Sequence, residues 1–207
     1  MQPLALSSLH TRNAKLFCNR TEILRLLPKH CIVAEIGVAF GDYSAAILEV
    51  VEPRKFHAID LFTLHEIPTL WGRPSKDTFK GATHEEFYKS RFSGVIVRGL
   101  LEIHKGDSSI ILSEEFPDGY FDVIYIDGDH TLEGVEKDSR QAVKKLKPDG
   151  YLVFNDYIMF DHIGGCPYGV VHVVNELCVN QGWEILHFAL QEQLFCDVTI
   201  RRRDLPH

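Results

Sequence analysis

Two short runs, Phe121–Asp127 and Tyr151–Asp156, are apolar at nearly every position until each ends in an acid. A strand with one wet face alternates apolar and polar residues. One that is apolar throughout is buried on both faces, as in a parallel sheet covered by helices. Parallel neighbours need a crossover, and the intervening residues offer one: Leu132, Val135, Ala142, Val143 and Leu146 mark one face of a helix. Its charges agree with the helix dipole, Glu133 and Glu136 early and Lys144, Lys145 and Lys147 late. Pro148-Asp149-Gly150 is expected to end it.

The same alternation runs through most of the chain. Cys31–Val38 and Lys55–Asp60 read as further strands, and Leu101–Lys105 as a weaker, partly polar one suited to a sheet edge. Thr21–Leu27, stopped by Pro28, and Asp42–Val51 read as helices. Tyr168–Asn180 reads as another helix, followed by an antiparallel hairpin of Trp183–Leu190 and Phe195–Arg202. This is an α/β pattern. At 207 residues the chain suits one large core better than two, so one domain over 1–207 is expected.

One segment breaks the economy of short connections. Phe62–Gly99 far exceeds the usual roughly 2–6 residues between such elements, and insertions of this size commonly act as lids. It carries Trp71, Phe79, Phe87 and Tyr88, and His84–Arg91 can form a helix inside it. Residues 62–99 are therefore expected to close over an acceptor.

Composition removes several classes of function. A formal net charge of −7 argues against a nucleic-acid partner, and Arg201-Arg202-Arg203 reads as a solvated strand end. No stretch approaches the roughly 18 apolar residues of a membrane span, and the first ten residues lack the pattern of a signal peptide. Five scattered cysteines without a C-x-x-C pair read as reduced thiols, so a cytoplasmic location is expected. A homo-oligomer is compatible with the sequence.

In an open α/β sheet the ligand crevice lies beyond the carboxyl ends of the strands, and there the polar residues gather. The first strand runs through Glu35 into a turn with Gly37, Ala39 and Gly41. Its G-x-A-x-G pattern is not a dinucleotide fingerprint, and the preceding acid suits a zwitterionic ligand better than a pyrophosphate. Asp60 closes the second strand, where an acid typically takes ribose hydroxyls. Asp107 and Ser108 follow the third and can cap a helix as well as face a ligand.

The fourth strand ends in Asp127-Gly-Asp129-His130 and the fifth in Asn155-Asp156. Asp127, Asn155 and Asp156 offer oxygen ligands suited to Mg²⁺ or Mn²⁺, and adjacent strands bring such ends about 5 Å apart. Asn155-Asp156 can equally begin a loop. Asp129 reads as a cap with Thr131 in preference to a partner for His130. His84 and His162 lie in loops that can reach a substrate.

In this order the motifs resemble those of class I S-adenosylmethionine-dependent methyltransferases, most closely the metal-dependent small-molecule O-methyltransferases of the macrocin type. The resemblance spans Thr21 to Arg202; Ala39, where glycine is commoner, is its departure in the turn. It implies a Rossmann-like fold, with a seven-stranded mostly parallel sheet of order 3-2-1-4-5-7-6, the seventh strand antiparallel, and helices on both faces. Glu35, Gly37, Ala39, Gly41 and Ser44 would then hold the methionine end of S-adenosylmethionine, and Asp60 and Leu61 the ribose. Asp107 and Ser108 would face the adenine, with Asp127 also beside the cofactor.

Asp127, Asn155 and Asp156 would bind the metal, and His130 would act as general base with Asp127 in the catalytic centre. The implied reaction is methyl transfer to a hydroxyl of a small molecule, a sugar or natural-product scaffold. Two other readings stand beside it. An NAD-linked oxidoreductase is disfavoured by the missing third glycine and by Glu35. A non-catalytic nucleoside-binding module is disfavoured by Asp127, His130, Asn155 and Asp156 occurring together.

Overall fold

The computed structural model describes residues 2–203; Met1 and residues 204–207, at the ends of the expected domain, lie outside them. The strands of the main sheet are β1 (Lys15–Phe17), β2 (Ile32–Ile36), β3 (Lys55–Asp60), β4 (Leu101–Lys105), β5 (Phe121–Ile126), β6 (Leu146–Phe154), β7 (Trp183–Leu190) and β8 (Cys196–Arg202). Their order across the sheet is β1-β7-β8-β6-β5-β2-β3-β4. Only β8 runs against its neighbours β6 and β7; the other pairs are parallel. The expected seven-stranded sheet is thus corrected to eight. The added β1 pairs with β7 from Lys15↔His187 to Phe17↔Ala189, and the other seven strands keep the expected succession. Three mostly exposed residues carry no alternation that would announce a strand.

The unbroken apolar runs follow from burial on both faces. Along β2, Ile32, Ala34 and Ile36 enter one core while Val33 enters the other. β5 divides likewise, Ile124 and Ile126 on one side and Val123 and Tyr125 on the other. Against the Val33 side pack α1 (Arg20–Leu24), α2 (Asp42–Val50) and α3 (His84–Arg91), through Leu24, Ile47 and Tyr88. Against the Ile32 side pack α4 (Ser108–Glu115), α5 (Leu132–Lys145) and α6 (Val170–Gln181), through Leu112, Val135 and Val174. Each such side chain, fully buried, contributes roughly 1.5–3 kcal/mol.

Several boundaries differ from the sequence expectation. Asn19 caps α1 by accepting from the Glu22 amide, so that helix starts at Arg20 and ends at Leu24. Pro148-Asp149-Gly150 does not form a separating loop. β6 begins at Leu146, directly after α5, because Leu146 pairs with Phe121 and a register irregularity between Phe121 and Val123 accommodates the proline.

Residues 62–99 have structure of their own: a two-strand ladder of Thr69–Leu70 with Arg73–Pro74, short helices Ser75–Phe79 and Ser93–Val97, and α3. A capping box between Thr83 and Glu86 starts α3. Phe79 and Tyr88 are buried and Phe87 half-buried, whereas Trp71 is 71% exposed and meets Phe40 edge-on.

Gly37 joins the sheet to the site. Its φ is +80°, and a Cβ there would stand 2.0 Å from the Asp127 carbonyl oxygen. Gly119 has a similar φ of +67° with nothing within 4 Å of its virtual Cβ. Gly119→Ala should therefore cost only the left-handed penalty of about 1–2 kcal/mol. Gly37→Ala should cost clearly more, as the strand ends must separate. Urea unfolding midpoints of the two variants measure the difference; equal losses would mean that the close approach carries no weight.

Candidate active site

The carboxyl ends of β2, β3, β5 and β6 open into a cleft of about 1290 Å³. One end is walled by Asp60, Leu61, Asp107 and Ser108, the other by Asp127, His130, Asn155 and Asp156, with Gly37 and Ala39 between them. Glu35, Gly41 and Ser44 stand behind the turn and do not line the cleft. Glu35 is buried and accepts a hydrogen bond from Ser44 Oγ, which in turn accepts from the Tyr88 hydroxyl at 2.9 Å. Gly41 is packed beneath α3, where a Cβ would meet the Phe92 ring at 2.5 Å.

The acids at the first end shape the backbone. Asp60 accepts from the Val38 amide at 2.8 Å and the Phe62 amide at 2.6 Å, one on each oxygen. A carboxylate oxygen has two lone pairs, so each still has one to offer a hydroxyl in the cleft. Asp107 is the N-cap of α4; one oxygen takes the Ser109 and Ile110 amides, leaving the other for a ligand. Ser108 Oγ donates to Asp138, a buried acid that the sequence reading did not select. Its signal was present: position 138 lies three residues after Val135 on the apolar face of α5.

At the second end three oxygens converge on one nitrogen. His130 Nε2 lies 3.1 Å from Asn155 Oδ1, 3.7 Å from Asp127 Oδ1 and 3.9 Å from Asp156 Oδ2. Asn155 is oriented from behind, its Nδ2 donating to the Tyr125 hydroxyl at 3.2 Å and to Asp197 at 3.1 Å. That leaves Oδ1 toward the cleft. Arg20 Nη1 donates to the Tyr125 hydroxyl at 3.2 Å, lies 3.8 Å from Asp127, and its guanidinium stacks over Tyr43. Tyr168 stacks on His130 with ring centroids 4.6 Å apart. Asp129 accepts from the Thr131 amide and hydroxyl, and Thr131 caps α5, so Asp129 orders the cap.

Burial governs the electrostatics. It raises Asp127 well above the carboxylate range, with the negative charges of Asp197 and Asp156 adding to the effect against Arg20. Burial, then Asp197, lifts Asp156 to about 7, and burial lifts Asp197 to about 6. It pushes His130 down, which keeps the imidazole neutral near pH 7. The oxygens of Asp127, Asn155 and Asp156 thus face a place that favours a positive charge: a proton shared with His130 Nε2, or a hard cation. The donor set fits a divalent ion of the Mg²⁺ kind.

Arg20, Asp138, Tyr168 and Asp197 escaped the sequence reading. Asp197 left a trace, an acid between the apolar Cys196 and Val198; Arg20 left none, resembling any polar residue opening a helix. His84 is buried, and its Nε2 meets the Ala39 carbonyl, so it braces the turn from behind. His162 stacks on Phe195.

Comparison with known proteins gives the family and the fold. Residues 34–157 match the family described as "Methyltransferase domain". A SAM-dependent methyltransferase from Aquifex aeolicus shares the fold with a TM-score of 0.59 and 17% identity, over 88% of this chain and 89% of that one. A cofactor-bound protein from MTB aligns with a TM-score of 0.62 and 14% identity, over 98% of this chain and 83% of that one. The B. subtilis tRNA methyltransferase aligns with a TM-score of 0.59 and 12% identity, over 91% and 67%. At these identities the likeness is one of fold. Among curated proteins none matches in sequence.

The buried acid behind the turn has a measurable signature. Burial lifts Glu35 from its ordinary 4.5 to about 8. Between those values the folded protein keeps a proton that the unfolded chain has lost. The associated stability is fully present below pH 4.5 and is lost as pH rises through 8, by at most about 1.4 kcal/mol per pH unit. Glu35→Gln should flatten the fall in stability with pH, most visibly above pH 7, where Asp156 and Asp197 contribute less. Urea unfolding at several pH values measures this; an unchanged slope would place the Glu35 titration at ordinary values.

Proposed function

The chain belongs to the methyltransferase domain family and carries the Rossmann-like fold of S-adenosylmethionine-dependent enzymes, and on that premise we propose a metal-assisted O-methyltransferase acting on a small molecule. The observation that carries this reading is the convergence of Asp127, Asn155 and Asp156 oxygens on His130 Nε2. It supports a cation site and a base set side by side, next to the wall that suits a nucleoside.

S-adenosylmethionine supplies a methyl group already made electrophilic by its sulfonium. The protein's task is therefore to align an acceptor hydroxyl and remove its proton. In this reading Asp60 takes the ribose hydroxyls, Asp107 and Ser108 flank the adenine, and the Gly37–Ala39 backbone lies along the methionine. Glu35 and Ser44 act through the turn that they support. Asp127, Asn155 and Asp156 would hold a Mg²⁺ or Mn²⁺ ion, which when bound lowers the pKa of a coordinated hydroxyl.

His130 serves as the base in this reading once Nε2, which faces Asn155 Oδ1 at 3.1 Å, is turned from that oxygen to the acceptor; its ring is stacked by Tyr168 and burial favours its neutral form. Trp71, exposed and on the cleft wall, offers a stacking face to a sugar or flat scaffold.

Methyl transfer to a panel of hydroxylated small molecules should stop in EDTA and return with Mg²⁺. Asp156→Ala should lower kcat by about a hundredfold or more, the scale of a lost transition-state charge contact. Full turnover in chelator, with unchanged Asp156→Ala, would remove the metal and leave His130 and Arg20 as the groups acting on the acceptor.

The rings of residues 62–99 divide between core and cleft, so a point change separates lid from scaffold. Trp71→Ala should raise the acceptor KM by about tenfold, or about 1.4 kcal/mol, while S-adenosylhomocysteine affinity by calorimetry stays within twofold. An unchanged acceptor KM would mean that another wall reads the acceptor.

A further inference from the structure

We propose that His57, Glu102 and His104 form a second metal site, for a zinc-class divalent ion, which ties β4 and α4 to β3. The strand register makes the cluster. His57 on β3 pairs with Glu102 on β4, and His104 follows two residues later, so all three side chains project from one face of the sheet. His57 Nδ1 lies 3.0 Å from His104 Nε2 and 3.6 Å from Glu102 Oε2, and the donor atoms are all within 4.8 Å of one another. Nitrogen ligands at about 2.0–2.1 Å from a tetrahedral ion stand about 3.3 Å apart. The two distances from His57, 3.0 and 3.6 Å, bracket that spacing.

The outer atoms of both rings are anchored. His104 Nδ1 faces Glu115 of α4 at 2.5 Å, and His57 Nε2 faces the Tyr120 hydroxyl at 3.3 Å. A carboxylate behind a histidine is the arrangement that orients a metal-binding imidazole. With both outer nitrogens donating, the inner two present lone pairs to each other at 3.0 Å, and a cation between them satisfies both. Lys55 holds Oε1 of Glu102, leaving Oε2 on the side of His57. Two imidazoles and one carboxylate suit zinc, in contrast to the oxygen set of Asp127, Asn155 and Asp156. The site stands three residues before Asp60 on β3, about 10 Å back from the cleft rim.

The competing arrangement is an ion-free relay, Tyr120 donating to His57, His57 to His104, and His104 to Glu115. Metal-stripped protein titrated with ZnCl₂ in excess Mg²⁺, against a chromophoric chelator, distinguishes the two. One equivalent should bind and raise the melting temperature. Outer partners alone are worth about 10–100-fold in affinity, so removing a ligand in His104→Gln or Glu102→Gln should weaken binding by at least about a hundredfold. Both residues are partly exposed or exposed, and melting of the metal-free variants reports whether they fold.

Asp156→Ala should bind zinc as the parent does, which keeps this site separate from the proposed cleft metal. Substituted Co²⁺ should show imidazole and carboxylate bands without thiolate charge transfer. Equal zinc affinity in the parent and both ligand variants, a thiolate band, or no stoichiometric binding would overturn the site in favour of the relay.

Discussion

The floor of the cleft depends on one carboxylate that no solvent reaches. Asp197 on β8 is fully buried and receives the Tyr125 hydroxyl from β5, the Asn155 amide from the end of β6 and the Gln191 amide from the loop before β8. A buried carboxylate left alone would be strongly destabilising, so these donors and Asp197 require one another. Their arrangement decides which way Asn155 points. Were the amide reversed, an N–H would enter the cleft where an oxygen now stands. The hydrogen bond to Asp197 is therefore upstream of the cleft chemistry, although Asp197 itself does not line it.

The acids facing the cleft fall into two groups by what surrounds them. Asp60 and Asp107 are held by backbone amides and serve the chain and the cleft together. Asp127 and Asp156 are raised by burial and by the nearby charge of Asp197, a tension that a cation would relieve. This difference suits the division of labour proposed above, with hydrogen bonding to a neutral nucleoside at one end and charge at the other.

How much the sequence revealed follows from the range of the interactions. Strands buried on both faces were readable because the whole run is apolar, as in Phe121–Ile126. Acids at strand ends were readable because topology alone puts them on one rim. Glu35 was legible as an acid of the turn but not as one lying behind it, since that depends on Ser44 and Tyr88 arriving from α2 and α3. β1 and Arg20 were illegible for a related reason. A three-residue strand has no periodicity, and Arg20 acquires its neighbours only when α1 lands on the sheet beside Tyr43 and Tyr125.

Arg20 and Asp197 also meet the same tyrosine hydroxyl from opposite stretches of the chain, one before β2 and the other after β7. Contacts so distant in sequence form late, after the loops between them have closed. The cleft is thus assembled by encounters 105 and 72 residues apart in the chain. Ligand affinity at this end consequently serves as a gauge of global folding, and a ligand that binds there stabilises the entire chain by mass action.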